Sequence, residues 1–427
     1  MIEEDRTDIQ RAPHESAARS TGLRFAILFA FLFVITLPFP YHLLPNIGGY
    51  LGPITEIEAR WAGDHLLHLH GPYTAAVVSD STGMYIHVVV LLIISAAGAL
   101  LWSAISRRKN HASALRYLFH AAISYYLSLQ LLKYGFDKLF KYQFYLPEPN
   151  TLFTPVGHLS RDILYWSSMG SSHAYNVLAG MLEIIPALLL PFRRTRVLGA
   201  IGATMVMVHI VMLNFGFDIS VKLYSCFLLF LSLVVALPGI SRLLDLLAFN
   251  RDAAIMPAYP AFSNRRNILL YSFAKALAIV LVVAEALFVY VRAGEFNDDH
   301  APRPFLHGAY AVETFIRNGD TLPALTTDSN RFRRIFIHRR GYFIAQLMND
   351  EMRDYRLDYD LHHDMLILHG NDGSTSTFDY SVFDRDSLLI LRGIIGGDSL
   401  AIRARRIDLN ALPLLQRSFH WTIDDYR

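Results

Sequence analysis

The sequence predicts a mainly α membrane protein, seven transmembrane helices followed by a C-terminal antiparallel β domain. Three observations predict it. Hydrophobic residues make up 53% of the 427, aromatics 13% and charged residues only 18%, a balance too apolar for an ordinary soluble chain. The apolar excess falls in runs of about 20 residues, the length that crosses a bilayer as a helix. From Phe305 onward short segments alternate apolar and polar residues, the period of a half-buried strand. The net charge of +2 gives no reason to expect nucleic acid as a partner. The single cysteine, Cys226, lies in an apolar run, so neither an intramolecular disulfide nor a CxxC redox pair can form.

Residues 1–21 are polar without apolar periodicity and are expected to form a disordered cytoplasmic tail. Their start is too polar for a signal peptide. The membrane domain is expected over 22–296. Its first span is 23–44, kinked or ended by Pro38 and Pro40. Residues 54–69 predict a short interfacial helix, with Trp61 at headgroup level. His65, His68 and His70 crowd there, but only the first two share a helix face, so they are expected at the surface rather than on a metal. Further spans are expected at 85–105, 115–140, 174–192, 197–215, 221–237 and 268–291. The connection 141–173 contains Pro147, Pro149 and Pro155 and is expected to be loop with one short helix.

Basic residues orient the chain. Clusters follow the second, fourth and sixth spans: Arg107, Arg108 and Lys109, then Arg193, Arg194 and Arg196, then Arg242, Arg251, Arg265 and Arg266. The other connections carry few or none. The positive-inside rule places these clusters in the cytoplasm. The N-terminus is then cytoplasmic and everything after residue 291 extracytoplasmic, in the plasma (inner) membrane of a bacterium. The partner is the lipid bilayer.

Polar residues inside the apolar runs are the candidate site. At a rise of about 1.5 Å per residue, Lys133, Asp137 and Lys138 fall in the outer third of the third span. Glu183 falls near the middle of the fourth. His209 and Asn214 lie in the outer part of the fifth, and Lys222 opens the sixth. All are expected in the outer half of four consecutive helices. An ionisable side chain inside a bilayer costs roughly 2.5–3.5 kcal/mol on the insertion scale and is usually paired and functional. Glu183, Lys138 and His209 are the candidate catalytic residues; Lys133, Asp137, Asn214 and Lys222 are candidate ligand contacts. The competing reading is a structural clasp, each interhelical contact contributing about 1 kcal/mol. Lys141, just past the third span, has the bland reading of a lysine snorkelling to the interface. Glu285, in the last span, has no assigned role. His120 and His209 are offset along their helices, a poor axial pair for haem.

Residues 115–247 also carry two short motifs: Gly135-Phe-Asp-Lys138, and Gly180-Met-Leu-Glu183 before leucines that end at Leu190 and a basic turn at Arg193. In this pattern the stretch resembles the DoxX family of four-helix membrane proteins. The resemblance implies a DoxX-like four-helix core, here with two spans before it, one after, and an outer domain. It also implies a quinone-linked redox role, because one member is a subunit of a thiosulfate:quinone oxidoreductase. A quinone carbonyl would accept a hydrogen bond from Lys138 or His209, with Glu183 relaying a proton, and a redox partner protein would share the reaction. With one buried cysteine, thiol chemistry on this chain is not expected. The alternative is a non-enzymatic, membrane-anchored protein that binds a ligand or partner.

Residues 305–427 are expected to form the extracytoplasmic β domain. Strands are predicted at 309–316, 333–338, 342–347, 355–359, 365–369, 375–380, 388–392 and 400–406. Tight turns separate them, such as Asn371-Asp-Gly373 and Gly396-Gly397-Asp398. The regular spacing predicts a meander or a small lipocalin-like barrel, with Phe419-His420-Trp421 packed on its end. Such a barrel holds either a ligand or a packed core. His362, His363, Asp364 and His369 do not converge on a metal, because successive strand residues face opposite sides. No P-loop, Gly-rich dinucleotide motif or nucleophile–base signature appears in the chain.

Overall fold

The structure, a computed structural model, describes residues 17–106, 112–250, 264–383, 385, 387–416 and 421–422. Most of the expected tail, the basic connection at 251–263 and Phe419-His420 lie outside the described residues. The chain divides into two compact units: Met1–Phe140 with Val177–Phe296, and Lys141–Asn176 with Asn297–Arg427.

The α-helices in chain order are α1 (Ala17–Thr36), α2 (Ile47–His65), α3 (Thr82–Ile105), α4 (Ala112–Leu139), α5 (Pro149–Leu152), α6 (Arg161–Ser171), α7 (His173–Leu189), α8 (Arg196–Gly216), α9 (Lys222–Leu247) and α10 (Arg265–Ala293). Each expected span is a helix, but among the described residues four, not seven, are long and apolar enough to cross a membrane: α3, α8, α9 and α10. The other three fall short for separate reasons. The apolar part of α1 is only Ser20–Thr36, because Pro38 lies just beyond, and α7 is 17 residues long. α4 is long enough, but Arg116, Lys133, Asp137 and Lys138 dilute it. α2 starts at Ile47 rather than 54, because the Asn46 side chain accepts the Gly49 N–H at 3.0 Å and caps it.

The core of the helical unit gathers apolar side chains of α1, α3, α4, α8 and α9, among them Phe33, Leu91, Leu127, Met207 and Leu231. Phe33 of α1 stacks on Phe227 of α9 with centroids 3.9 Å apart. Asp80, just ahead of α3, accepts the Lys222 and Leu223 N–H groups at 2.8 and 3.0 Å. It satisfies two of the donors that the first turn of α9 leaves open.

The second unit contains β1 (Gly308–Arg317), β2 (Asp320–Thr321), β3 (Phe332–His338), β4 (Tyr342–Leu347), β5 (Met352–Asp360), β6 (Met365–His369), β7 (Thr375–Phe383), β8 (Leu388–Ile395) and β9 (Asp398–Arg406). All neighbours are antiparallel, and β1 pairs with both β3 and β9, which closes an eight-stranded barrel with β2 appended. β7 shows the strict alternation, with Ser376, Phe378 and Tyr380 turned inward. Inward residues such as Phe315, Ile335, Phe343, Leu366, Leu389 and Ile402 fill the interior. β4 breaks the alternation and is buried on both faces, because the 141–176 stretch covers its outer side. Phe153 stacks on Phe336 at 5.7 Å, and Gln346 donates to the Phe153 carbonyl at 3.3 Å. Trp421 is 92% exposed and does not pack on the barrel end, contrary to expectation.

Candidate functional site

The two motifs meet where α4 crosses α7. A Cβ added at Gly180 would lie 2.7 Å from the Gly135 carbonyl oxygen, and one added at Gly135 would lie 2.6 Å from Ile184 Cγ1. Only glycine lets two helix backbones approach this closely. Residues three positions on share the same helix face, so Lys138 and Glu183 are brought together, with Nζ 2.8 Å from Oε1. Glu183 is 2% exposed, and its Oε2 is buried without a hydrogen-bond partner.

The rest of the cluster radiates from α4. Asp137 accepts a hydrogen bond from the Tyr290 hydroxyl of α10 at 2.6 Å. Lys133, about one turn earlier, donates to the Pro40 carbonyl at 2.6 Å and stands 3.5 Å from Glu285 Oε1. Its ammonium also lies 4.9 Å from the Phe39 ring and 5.3 Å from the Tyr41 ring. Glu285 is fully buried. Its carboxylate accepts the backbone N–H groups of His42, Leu43 and Leu44 at 2.9, 2.6 and 3.1 Å, and His42 Nδ1 is 3.5 Å away. The chain after α1 thus wraps a carboxylate on α10. Asp137, Glu183 and Glu285 face Lys133 and Lys138: three carboxylates against two ammonium groups.

Two expected members are elsewhere. Lys222 pairs with Asp218 at 2.8 Å and Asp80 at 3.7 Å, not with Glu183. His209 lies on the exposed face of α8. Asn214 is buried, with Nδ2 lacking a hydrogen-bond partner. Lys141 does not snorkel: it is buried in the second unit, 2.6 Å from Asp299 Oδ2 and donating to the Gly170 carbonyl at 2.8 Å. On the barrel surface, His363 pairs with Asp360 at 2.7 Å and His369 with Asp358 at 3.1 Å.

A tyrosine ladder adjoins the cluster, and sequence reasoning missed it because tyrosine counts as apolar. Tyr126 and Tyr224 share a hydroxyl contact at 3.1 Å, and Gln130 donates to the Tyr41 hydroxyl at 3.2 Å. Gln130 Oε1 is buried without a partner. The Lys138 ammonium lies 5.8 Å from the Tyr134 ring. The available signal was spacing: Tyr126, Gln130, Tyr134 and Lys138 recur every four residues, one stripe of α4. At the Tyr126 end an apolar cleft of about 380 Å³ opens between α1 and α4, lined by Ala30, Phe31, Val34, Phe119 and Ile123. A second missed feature is His87, buried in α3, which bridges Glu58 at 2.6 Å and Thr36 at 2.9 Å.

No family model matches the chain, and no solved structure matches it. Over 70 residues it is 39% identical to the Uncharacterized protein YwoB of Bacillus subtilis (strain 168), a stretch covering 16% of this chain and 46% of that protein. The chain thus spans about half the length of this curated relative.

Proposed function

We propose that the helical unit is embedded in the bacterial plasma membrane as a DoxX-like, quinone-linked redox subunit. The observation that carries this is the buried Lys138–Glu183 pair, whose Glu183 Oε2 is left without a partner. Lys138 holds the carboxylate in place, and Oε2 offers a position for a proton. Two ammonium groups do not balance three carboxylates, two of which, Glu183 and Glu285, are buried, and a low-dielectric interior tolerates net charge poorly. The cluster is neutral when it binds one further proton, the property a proton relay needs. The apolar cleft beside Tyr126 suits a prenyl tail, and the tyrosine–glutamine stripe leads from it toward Lys138. Quinone reduction consumes two electrons and two protons per headgroup. In this reading the cluster conducts the protons, and a redox partner protein supplies the electrons.

Orientation follows the basic residues. Arg193, Arg194 and Arg196 precede α8 and Arg265 and Arg266 precede α10, whereas the α8–α9 turn and the end of α10 carry few. On this reading the N-terminal ends of α8 and α10 face the cytoplasm, and the unit after residue 297 is extracytoplasmic.

The test is extraction of the purified protein with organic solvent, then an absorbance difference spectrum on borohydride reduction. Near-stoichiometric quinone is expected in wild type and a reduced amount in Lys138→Met. A preparation that carries no quinone, and takes up none from a short-chain quinone added in excess, removes the reading.

A further inference from the structure

The second unit holds a polar cavity of about 400 Å³, within the roughly 300–1,000 Å³ range of small-molecule sites. Its wall comes from residues 143–167 and from His338 of β3, so the proline-containing connection that reads as loop builds most of the cavity. Tyr145 and Trp166 supply aromatic surface, and Trp166 is braced edge-to-face by Phe144 at 5.7 Å.

Two wall residues are left wanting. Gln143 Oε1 and Asn150 Oδ1 are both buried with no hydrogen-bond partner. A buried carbonyl without a donor is costly, and native structures seldom keep one without a reason. Two on one cavity wall ask for a molecule that brings hydrogen-bond donors.

The wall's charge narrows its class. Among the described residues Glu148 is the only carboxylate lining the cavity, no Lys or Arg lines it, and Glu148 is fully engaged. Its Oε1 accepts from Arg339 Nε, and its Oε2 accepts from His307 Nε2 at 3.1 Å and from the Arg339 N–H at 3.2 Å. His338 accepts the Arg340 N–H on Nδ1 at 3.1 Å, and burial pushes its imidazole down toward the neutral form. In that form the proton sits on Nε2, 3.8 Å from Glu148 Oε2. That is too long for a hydrogen bond and leaves a donor free. The Arg339 guanidinium already covers the Tyr145 ring at 4.0 Å, which works against a cation stacking there. An anion would face two carbonyl oxygens. Hydroxyls of Thr151, Thr154, Ser160 and Ser167 complete a wall that both donates and accepts.

We propose that this cavity binds a neutral, hydroxyl-rich small molecule of the sugar or cyclitol class. Its hydroxyls donate to Gln143 Oε1 and Asn150 Oδ1, and its C–H face lies against Trp166. The proposal is independent of the quinone reading.

The experiment uses the full chain in lipid nanodiscs, which avoids detergents with sugar headgroups. Glucose, galactose, trehalose and myo-inositol are titrated by calorimetry and tryptophan fluorescence, with choline and glucose 6-phosphate as charged comparators. At least one neutral probe is expected to bind saturably and more tightly than either comparator. Gln143→Leu and Asn150→Leu are each expected to weaken it at least tenfold without lowering the melting temperature, since neither oxygen has a partner to lose. Trp166→Phe should remove the fluorescence change. The proposal is overturned if no neutral probe saturates, if a comparator binds more tightly, or if both leucine variants bind like wild type.

Discussion

At the scale of the residue, two buried carboxylates carry the sharpest consequences. Removing one partner of a buried ion pair leaves an uncompensated charge and typically costs about 3–5 kcal/mol. Lys138→Met is therefore expected to destabilise the helical unit by about that much, measured by denaturant unfolding in micelles. The double variant Lys138→Met/Glu183→Leu should recover most of the loss, because the orphaned charge is gone as well. Glu148 makes a pH prediction. Burial alone would raise its carboxyl, but the His307 hydrogen bond and the Arg339 charge overcome this and hold it down to about 2. A carboxyl depressed on folding contributes stability above its unfolded value. That contribution is lost as pH falls from the ordinary glutamate range, near 4.5, through about 2. The gap is worth on the order of 3 kcal/mol. Thermal unfolding of the second unit should fall steeply across that window in wild type and much less in Glu148→Gln.

At the scale of the element, the α4–α7 crossing decides whether the cluster exists. Gly180→Ala pushes a Cβ against the Gly135 carbonyl oxygen, so the helices must separate. Overpacking of this kind costs about 1–3 kcal/mol. The variant should also lengthen the Lys138–Glu183 contact, so its energetic coupling in a double-mutant cycle should shrink. A coupling unchanged in the Gly180→Ala background would mean that the pair does not depend on the close approach. This gives the Gly-x-x-Lys and Gly-x-x-Glu motifs a physical sense that was only half visible in sequence. The glycines and charges were legible as a pattern, but the partner each glycine touches was not. α5 is the opposite case. A four-residue helix that opens on Pro149 and is soon followed by Pro155 gave no sign that Phe153 would cover a barrel strand.

At the scale of the whole molecule, the 141–176 stretch belongs with the barrel. Phe336 and Ile344 face outward from it and share a small apolar cluster with Phe153, and Arg339 and His307 share Glu148. A fragment of residues 297–427 alone is expected to be less stable and to self-associate. Adding a peptide of residues 141–176, or fusing the two stretches, should raise its melting temperature. An isolated barrel fragment as stable as the fused one would make the stretch a passenger. Topology is testable at the same scale. A reporter active only outside the membrane should work when fused after Arg427 and be silent when fused after Arg194.

The sequence by itself determined where the helices and strands are. Apolar runs and two-residue alternation are local properties; all eight predicted strands appear, and each predicted span is a helix, although among the described residues only four of these are long and apolar enough to cross a membrane. It also located Lys138 and Glu183 at one depth. Depth, however, is only one coordinate of a helical residue; the other is the angle around the axis, which neighbours define. His209 was expected at the depth of the cluster, but it lies about 200° around α8 from the buried Met207, at roughly 100° per residue, and is exposed. Only the tertiary structure decided that Lys222 turns to Asp80 and Asp218, that Lys133 reaches Glu285 and Lys141 reaches Asp299, and that a proline-rich connection joins the barrel. Each of these contacts links residues brought together by helix crossings, turns or strand pairing, and no local pattern records which surfaces will meet.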